Sequence, residues 1–329
     1  MDEFTDSDRP KMVVTRALPE PIVARIATRY QAWINPHDRG MTQGEILKAA
    51  ARHRAEALLV MAMDRIDAGL IDDLPACVRT IATFSVGHDH IDLAAARGRG
   101  IAVLSTPDVL SDAVAETAVL LMLGAARRAH EASALLYSGS WTGWTPTQLL
   151  GRDVTGARLA VFGMGRIGRA IAHKAGRGFD MPVHYHNRSR LPAALEAGAV
   201  YHPSVETLLE QADFLILAAP AGPGTIGFLS TETIARLPPG AIVVNIARGA
   251  LVDDAALIAA LRTGRIAAAG LDVFNNEPAL HPGYLSLANV FLQPHQGSST
   301  LGTRVRMGDM LLDSLVRLRA GHAIANRLA

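Results

Sequence analysis

Short apolar runs rich in β-branched residues alternate with amphipathic helical patterns along almost the whole chain. The runs lie at 12–15, 57–61, 80–84, 101–105, 158–162, 181–185, 213–219, 241–246, 267–273 and 289–293. Such an alternation predicts parallel sheets that are covered by helices. Among the helical patterns, the one at 42–53 begins with Thr42 and Glu45, whose spacing is that of a capping box. The fold class that we predict is therefore α/β.

The chain is longer than one hydrophobic core usually requires. Its 329 residues favour two domains, and the apolar runs fall into two series, the second of which begins at 158. No long Gly/Ser linker separates the series. We therefore place the domain boundaries in ordinary loops near 105 and 296.

Charge and cysteine content exclude several classes of protein. The 32 Lys and Arg residues nearly balance the 31 Asp and Glu residues, and they are scattered, so we expect no nucleic-acid partner. Cys77 is the single cysteine, which excludes an internal disulfide and a CxxC metal site and is typical of a reducing compartment. We expect Cys77 to be a small buried apolar residue and expect no metal site.

Neither the N-terminus nor the most apolar run indicates a membrane protein. The segment MDEFTDSDRP is acidic and polar, unlike a signal peptide. The run at 117–126 is about half of the ~20 residues that a membrane span requires, and Glu116 and Arg127 flank it. We predict a buried helix there, in a soluble cytoplasmic protein with no membrane partner.

A glycine-rich turn follows the strand predicted at 158–162. Gly163, Gly165 and Gly168 have GxGxxG spacing and precede a helical pattern. In a dinucleotide-binding turn, the first glycine makes the bend, the second lets the backbone approach the pyrophosphate, and the third packs helix on strand. The helix N-terminus then offers free N–H groups to the anion. The strand, turn and helix together predict a dinucleotide site, although the spacing alone would be weak evidence.

The segment HYHNRSR at 184–190 occupies the position where an NAD site usually presents a carboxylate. His186 stands there instead, and Asn187, Arg188, Ser189 and Arg190 follow. A carboxylate would repel a 2′-phosphate, whereas these side chains supply donors and positive charge for it. We expect NADPH as the preferred cofactor and NADH as the alternative. A solvated basic loop is the competing interpretation, and we expect the Arg190 side chain to point to solvent.

Three further polar groups follow predicted strands. Arg248 lies in VVNIARGALVD, Glu277 in GLDVFNNEP and His295 in FLQPHQGSST. The carboxyl ends of parallel strands meet at one edge, where doubly wound folds bind ligands. Each residue alone has an ordinary structural explanation. Their convergence near a cofactor turn predicts a catalytic site.

The chain resembles the D-isomer-specific 2-hydroxyacid dehydrogenases, and within them the NADPH-linked glyoxylate/hydroxypyruvate reductase branch. The resemblance is carried, in the family's order, by SVGHDHIDLAAARGRGIAV at 85–103, TPDVLSDAVAETAVLLML at 106–123, GMGRIG, NIARGALVD, LDVFNNEP and PHQGSST. It covers nearly the whole chain. It implies two doubly wound, Rossmann-like domains with the active site in the cleft between them. Residues 1–105, completed by 297–329, would bind substrate, and 106–296 would bind NAD(P).

The resemblance also implies roles for individual residues. His295 would be the acid–base group, Glu277 would bond its ring, and Arg248 would hold the substrate. These roles suit the chemistry, because reduction of a 2-keto acid needs a hydride, a proton for the developing alkoxide and a cation for its oxygens. The resemblance further implies that the backbone N–H groups of Val86 and Gly87 bind the substrate. It also implies that Trp144 lies near the substrate of a neighbouring subunit, with Trp141 as the alternative.

The cofactor residues that we expect extend beyond the turn. They are Gly163, Gly165, Arg166, Ile167, Gly168, Asn187, Arg188, Ser189, Pro220, Thr225, Ala247, Asp272 and Gly297. Asp272 would receive the nicotinamide carboxamide, although a structural capping role is its rival. Family members are commonly dimers, so a homodimer is expected.

The function that we expect is reduction of glyoxylate, hydroxypyruvate or a similar small 2-keto acid to the D-2-hydroxy acid, with NADPH as the hydride donor. Two alternatives remain. One is a dehydrogenase of the same family that acts on a phosphorylated or aromatic acid. The other is a dinucleotide-sensing binding protein of the corepressor type.

Overall fold

The computed structural model describes residues 9–329 and divides the chain into two compact units. Most of the acidic N-terminal segment, on which the signal-peptide prediction rests, lies outside the described residues. The first unit is Met1–Leu110 with Ser299–Ala329, and the second is Ser111–Ser298. The division therefore falls a few residues after the loops near 105 and 296 in which the sequence placed it.

The first unit is a parallel sheet with helices between its strands. Its elements are β1 (Lys11–Val14), α1 (Glu20–Arg29), β2 (Gln31–Ile34), α2 (Gln43–His53), β3 (Ala57–Val60), α3 (Ala68–Asp73), β4 (Thr80–Thr83), α4 (Leu93–Gly98) and β5 (Ala102–Leu104). The strand order is β2-β1-β3-β4-β5, with every pair parallel. The capping box predicted at Thr42 and Glu45 is confirmed at the start of α2.

The second unit is built in the same way on a larger sheet. Its elements are α5 (Ser111–Ala126), α6 (Ala129–Tyr137), β6 (Leu159–Phe162), α7 (Arg166–Gly178), β7 (Val183–His186), α8 (Ala193–Glu196), β8 (Val200–Tyr201), α9 (Val205–Leu209), β9 (Phe214–Leu217), α10 (Thr231–Arg236), β10 (Ala241–Asn245), α11 (Asp254–Thr263), β11 (Ile266–Leu271) and β12 (Val290–Leu292). Two 3-10 helices, Gly249–Leu251 and Pro282–Ser286, complete it.

The seven strands of this sheet are parallel, in the order β12-β11-β10-β9-β6-β7-β8. The order reverses between β6 and β9, which makes that point the topological switch where doubly wound sheets bind ligands. The sheet core is apolar, and β6, β9 and β10 are buried along their whole length. Two parallel-sheet α/β domains are thus confirmed as the fold class.

The last helix, α12 (Leu301–Arg319), returns to the first unit and packs against α1. A side chain at Gly308 would meet Ile22, so the two helices approach closely there. Arg29 and Asp313 add an ion pair of 2.7 Å between them. The C-terminal residues are thereby part of the first unit.

Two sequence expectations about burial have different outcomes. The apolar run at 117–126 lies within α5, whose residues are mostly buried, as predicted. No described helix combines the length and apolar character that crossing a membrane would take. Cys77 is half-buried instead of buried, because it lies in the short connection before β4 and not within an element.

Candidate active site

The glycine turn that joins β6 to α7 contains two positions where backbone segments approach each other very closely. Gly163 has a φ of +100°, and a Cβ atom there would lie 2.5 Å from the Ala219 nitrogen at the end of β9. A Cβ atom on Gly168 would lie 2.3 Å from the Gly163 oxygen. Both positions therefore require glycine, since a side chain would displace backbone atoms. These are the tight-turn and helix-packing positions of the predicted motif.

The middle glycine of the turn, Gly165, leaves the N-terminus of α7 accessible to a ligand. Gly165 is the residue before the helix, and a Cβ atom on it would meet nothing within 4 Å. Arg166 and Ile167 begin the helix, whose first N–H groups have no partner within it. An approachable turn at the N-terminus of a 13-residue helix fits the pyrophosphate of a dinucleotide.

Asn187 supports this turn from the end of β7. Its Oδ1 accepts a hydrogen bond of 2.7 Å from the Met164 N–H. The amide oxygen is thus used within the protein, and the Nδ2 group is the part of Asn187 that can meet an anion. Arg188 and Ser189 follow and are exposed. Among residues 9–329, none forms a hydrogen bond or ion pair with the Arg188 guanidinium.

Arg190, in contrast, is held by the protein. Its guanidinium donates to both carboxylate oxygens of the buried Glu196, at 2.8 and 3.0 Å, and lies 6.0 Å from the Tyr201 ring centroid. The Tyr185 hydroxyl also donates to Glu196, at 2.5 Å. The Arg190 and Tyr185 hydrogen bonds lower the pKa of Glu196 to about 2. The Arg190 side chain is 65% exposed, in agreement with the expectation that it points to solvent, and Glu196 holds it at the same time.

The loop after β9 carries two further predicted cofactor residues. The Thr225 hydroxyl donates to the Pro220 oxygen at 2.7 Å, which closes the loop on itself. Phe228 stacks on Phe162 with ring centroids 3.7 Å apart. The loop is therefore fixed next to the end of β6, at the switch point of the sheet.

The clearest chemical feature of the second unit is the contact between His295 and Glu277. His295 Nδ1 lies 2.7 Å from Glu277 Oε2, and the other oxygen, Oε1, accepts from the Phe274 N–H at 2.8 Å. The His295 side chain is 39% exposed and the Glu277 side chain 15%. Burial raises the pKa of Glu277, but these hydrogen bonds and the nearby positive charges outweigh it and lower the pKa overall. The carboxylate is therefore ionised beside a ring that solvent can reach.

Asp272 orders the loop that presents His295. Its two carboxylate oxygens accept from the Gln296 N–H at 2.6 Å and the Gly297 N–H at 2.8 Å. The His295 N–H donates to the Asp272 carbonyl at 2.8 Å, and His295 adopts a φ of +54°. Burial raises the pKa of Asp272, against the lowering effect of these hydrogen bonds. The capping role that was the rival interpretation is thus present.

Arg248 follows β10 in a turn that Asn245 holds. Asn245 Nδ2 donates to the Arg248 oxygen at 2.8 Å, and its Oδ1 accepts from the Ala247 N–H at 3.0 Å. The Arg248 guanidinium donates to the Ala247 oxygen at 2.7 Å. Its charge is among those that lower the pKa of Glu277. The charges of Arg248 and His295 therefore both act on the Glu277 carboxylate.

Sequence reasoning missed the contacts that align the Arg248 and Glu277 loops. A Cβ atom on Gly249 would lie 2.0 Å from the Phe274 carbonyl carbon, so the two loops touch through their backbones. Asn275 Nδ2 donates to Asp254 Oδ2 at 3.0 Å, and the Tyr284 hydroxyl donates to Asp254 Oδ1 at 2.7 Å. The sequence features that could have indicated these contacts are the adjacent pairs Arg248-Gly249 and Asn275-Asn276.

Val86 and Gly87 belong to the first unit, in the loop after β4. The Ser85 hydroxyl donates to the Gly87 oxygen at 2.6 Å, and Thr83 Oγ1 lies 2.7 Å from Ser85 Oγ. His90 Nε2 lies 2.9 Å from the same Thr83 oxygen. This chain of hydrogen bonds fixes the loop and gives His90 a positioning role that the sequence did not reveal.

The two tryptophans lie on the surface of the second unit, after α6. Trp141 is 50% exposed and Trp144 is 77% exposed. Tyr137, at the end of α6, is 93% exposed. Large apolar side chains this accessible are unusual on a surface that only meets water.

Known proteins resemble this chain over nearly its full length. Residues 119–297 match the family model of the D-isomer specific 2-hydroxyacid dehydrogenase NAD-binding domain. A glycerate dehydrogenase from Hyphomicrobium methylovorum is 39% identical over 98% of this chain and 99% of its own. A glyoxylate reductase from Thermococcus kodakarensis is 41% identical over 95% of this chain and 94% of its own.

Solved structures agree with these relatives. An NADPH-dependent glyoxylate/hydroxypyruvate reductase from Sinorhizobium meliloti, in complex with NADP and malonate, has a TM-score of 0.86 and 32% identity. The alignment covers 98% of this chain and 97% of that one. The family predicted from sequence is confirmed by all three kinds of match. The chain belongs to the D-isomer-specific 2-hydroxyacid dehydrogenase family and is an NAD(P)-dependent oxidoreductase of that family.

Proposed function

We propose that this enzyme uses NADPH to reduce small 2-keto acids of the glyoxylate and hydroxypyruvate type to D-2-hydroxy acids. The observation that carries the proposal is the 2.7 Å contact between His295 and Glu277, in the unit that also carries the glycine turn. Relatives named as glyoxylate reductases and glyoxylate/hydroxypyruvate reductases support the substrate class.

His295 is the proposed general acid. Since Glu277 engages Nδ1, Nε2 is the nitrogen that can give its proton to the alkoxide oxygen that forms from the keto group. The ionised Glu277 stabilises the positive ring before transfer. Arg248 supplies the fixed charge that binds the keto and carboxylate oxygens as negative charge develops.

Bound nicotinamide dinucleotide supplies the hydride. We assign its pyrophosphate to the open turn formed by Gly163, Gly165, Arg166, Ile167 and Gly168. The further residues proposed to hold it are Pro220, Thr225, Ala247, Asp272 and Gly297. Preference for NADPH is attributed to Asn187 Nδ2, Ser189 and the accessible Arg188 guanidinium, since a guanidinium suits a phosphate well.

Substrate binding is proposed for the backbone N–H groups of Val86 and Gly87, which lie in the loop that Ser85 and His90 fix. N–H groups held in this way can bind a carboxylate. We also propose a homodimer, in which the exposed Tyr137, Trp141 and Trp144 are covered and Trp144 reaches the neighbouring subunit's substrate.

A substrate panel tests the proposal. Purified enzyme is mixed with NADPH and glyoxylate, hydroxypyruvate, pyruvate, a phosphorylated keto acid and phenylglyoxylate, and oxidation of NADPH is followed by absorbance. We expect the highest kcat/KM with glyoxylate or hydroxypyruvate, and D-glycerate as the product of hydroxypyruvate. Highest activity with the phosphorylated or aromatic acid, or an L product, would refute the proposal.

A further inference from the structure

A chain of hydrogen bonds in the first unit leads from His90 to the loop after β4. His90 Nε2 lies 2.9 Å from Thr83 Oγ1, which in turn lies 2.7 Å from Ser85 Oγ. The Ser85 hydroxyl lies 2.6 Å from the Gly87 carbonyl oxygen. Thr83 is fully buried and Ser85 is 9% exposed, so the two hydroxyls depend on this chain for their hydrogen bonds.

The direction of every hydrogen bond in the chain follows from counting protons. The Gly87 carbonyl can only accept, so Ser85 donates its single proton to it. Thr83 must then donate to Ser85 and has no proton left for His90. His90 therefore carries a hydrogen on Nε2 and donates it to Thr83. All the bonds point toward Gly87, and bonds aligned in this way strengthen one another.

The last bond of the chain fixes the direction of one peptide group. The peptide bond between Gly87 and His88 is trans, so its C=O and N–H point in opposite directions. The carbonyl turns toward the buried Ser85, and the His88 N–H therefore turns away from it. Among residues 9–329, no group accepts a hydrogen bond from the N–H of Val86, Gly87 or His88. Successive N–H groups of this kind are available to an anion.

Backbone contacts hold both ends of the chain in place. The His90 oxygen accepts from the Ile66 N–H at 2.9 Å, and the Ser85 oxygen accepts from the Thr106 N–H at 2.9 Å. The backbones that carry the donors are therefore fixed independently of the chain. Loss of one hydroxyl would free the peptide group after Gly87 without releasing the strand before it.

We propose that Thr83, Ser85 and His90 are positioning residues for the carboxylate of the 2-keto acid. The chain that they form holds the Gly87 carbonyl inward and thereby directs the His88 N–H to the carboxylate. These side chains act through the loop and not by contact with the substrate. Because aligned hydrogen bonds polarise the peptide group at their end, the His88 N–H is also a stronger donor than an isolated one. This assignment rests on the substrate loop proposed above.

The test uses oxalate, an unreactive dicarboxylate, as a competitive inhibitor of glyoxylate reduction by the full-length enzyme. T83V keeps the shape of the side chain and interrupts the chain, and S85A removes the donor to Gly87. In both variants, the oxalate inhibition constant and the KM for glyoxylate should rise by about tenfold, because a hydrogen bond to a charged group is lost. The kcat should fall by less than about threefold, since the carboxylate contact is the same in the ground state and the transition state. The NADPH dissociation constant, from fluorescence titration, should stay within about twofold.

Two further variants separate positioning from a general loss of structure. T83S restores the hydroxyl and should recover most of the affinity for oxalate. T80V is the matched control, because it makes the same substitution in the same strand, β4, outside the chain. It should leave the inhibition constant within about twofold of the wild-type value. If T83V fails to fold, S85A, which removes one oxygen atom, carries the comparison.

The outcomes separate this inference from the proposed function. Oxalate inhibition constants in T83V and S85A equal to that of the wild type would overturn the positioning role, while reduction of glyoxylate would still support the reductase. An equal rise in T80V or T83S would overturn it as well, because the effect would not follow the Thr83 hydroxyl. If the wild type reduces no 2-keto acid, the proposed function fails and this inference fails with it.

Discussion

His295 owes its proposed function to a single contact that fixes one of its ring nitrogens. Glu277 holds Nδ1 at 2.7 Å, and the Asp272 carbonyl fixes the backbone of the same residue at 2.8 Å. The ring is therefore oriented through Nδ1, its backbone is fixed, and the side chain is still 39% exposed. This combination, an oriented and accessible imidazole beside an ionised carboxylate, is what a general acid requires.

Replacement of His295 tests this role. We expect H295A to lower kcat by about a thousandfold, within the range of general acid–base catalysis, and to leave the NADPH dissociation constant within about twofold. Stopped-flow reduction of glyoxylate and fluorescence titration of NADPH measure the two quantities. E277Q should lose less activity, because the ring keeps a hydrogen-bond partner. Equal losses of turnover and NADPH binding in H295A would contradict the assignment.

Arg188 and Arg190 form a natural pair for testing cofactor preference. R188A removes a cation that has no partner among residues 9–329, so NADPH should bind about tenfold more weakly and NADH equally well. R190A is the matched control, because its guanidinium is bonded to Glu196. It should lower the melting temperature and leave the ratio of the two dissociation constants unchanged. An unchanged ratio in R188A would exclude contact with the 2′-phosphate.

Single residues were predictable where a motif carried them. The spacing of the glycine turn indicated Gly163 and Gly168, and the apolar runs placed Arg248, Glu277 and His295 at strand ends, whereas the roles expected of these three came from the family resemblance. The Arg190–Glu196 pair and the Asn187–Met164 hydrogen bond were not predictable, because they depend on which way side chains turn after a strand.

In the second unit, the loops that carry Arg248 and Glu277 are aligned by contacts between neighbouring elements. The turn after β10 and the loop after β11 touch at Gly249 and Phe274, where a Cβ atom would lie 2.0 Å from backbone. Asn275, Asp254 and Tyr284 join the same loops to α11 and a 3-10 helix. The distance between the charges of Arg248 and Glu277 is therefore set by backbone packing and not by the two side chains alone.

Substitution of Gly249 tests this packing. G249A should lower the free energy of unfolding by about 1–3 kcal/mol, since the added methyl group meets backbone atoms that cannot easily move. It should also lower kcat, because the loop that carries Glu277 must shift. Urea unfolding and steady-state kinetics measure both effects. G178A is the control, with nothing within 4 Å of its Cβ; if G249A behaved like it, backbone contact would not align the loops.

Long periodic elements were predictable, and so were the two short edge strands β5 and β12, which lie in apolar runs, whereas the other two edge strands were not. The patterns for α2, α7 and α11 and for the central strands correspond to observed elements. The strands β2 and β8 were missed because their partial exposure removes the apolar run. The strand β7 ends at His186, one residue beyond the apolar run at 181–185.

Each unit of the whole molecule has a parallel sheet whose strand order reverses once. Alternating apolar runs predicted parallel sheets, because crossover helices must follow each strand. They could not give the strand order, which depends on the side of the sheet to which each crossover goes. The return of α12 to the first unit came from family resemblance, since nothing local in its sequence indicates its partner helix.

The exposed aromatic residues of the second unit predict that the enzyme is a homodimer. Substitution of Tyr137, Trp141 and Trp144 by serine should convert a homodimer into a monomer, because it removes the apolar surface that a partner would cover. Light scattering after size exclusion measures the mass. L285S, which changes a 71% exposed residue elsewhere, should remain dimeric. A wild-type mass equal to that of one 34.9 kDa chain would contradict the proposed dimer.

The central claim is that the enzyme is an NADPH-dependent 2-keto acid reductase, and the ratio of its kcat/KM values with the two cofactors tests it most directly. The measurement compares NADPH with NADH at pH 7, with saturating glyoxylate and then with saturating hydroxypyruvate. We predict a ratio of about ten or more in favour of NADPH with both substrates, because one charged hydrogen bond to the 2′-phosphate is sufficient for that factor. A ratio below one, or no reduction of either acid by either cofactor, would contradict the account.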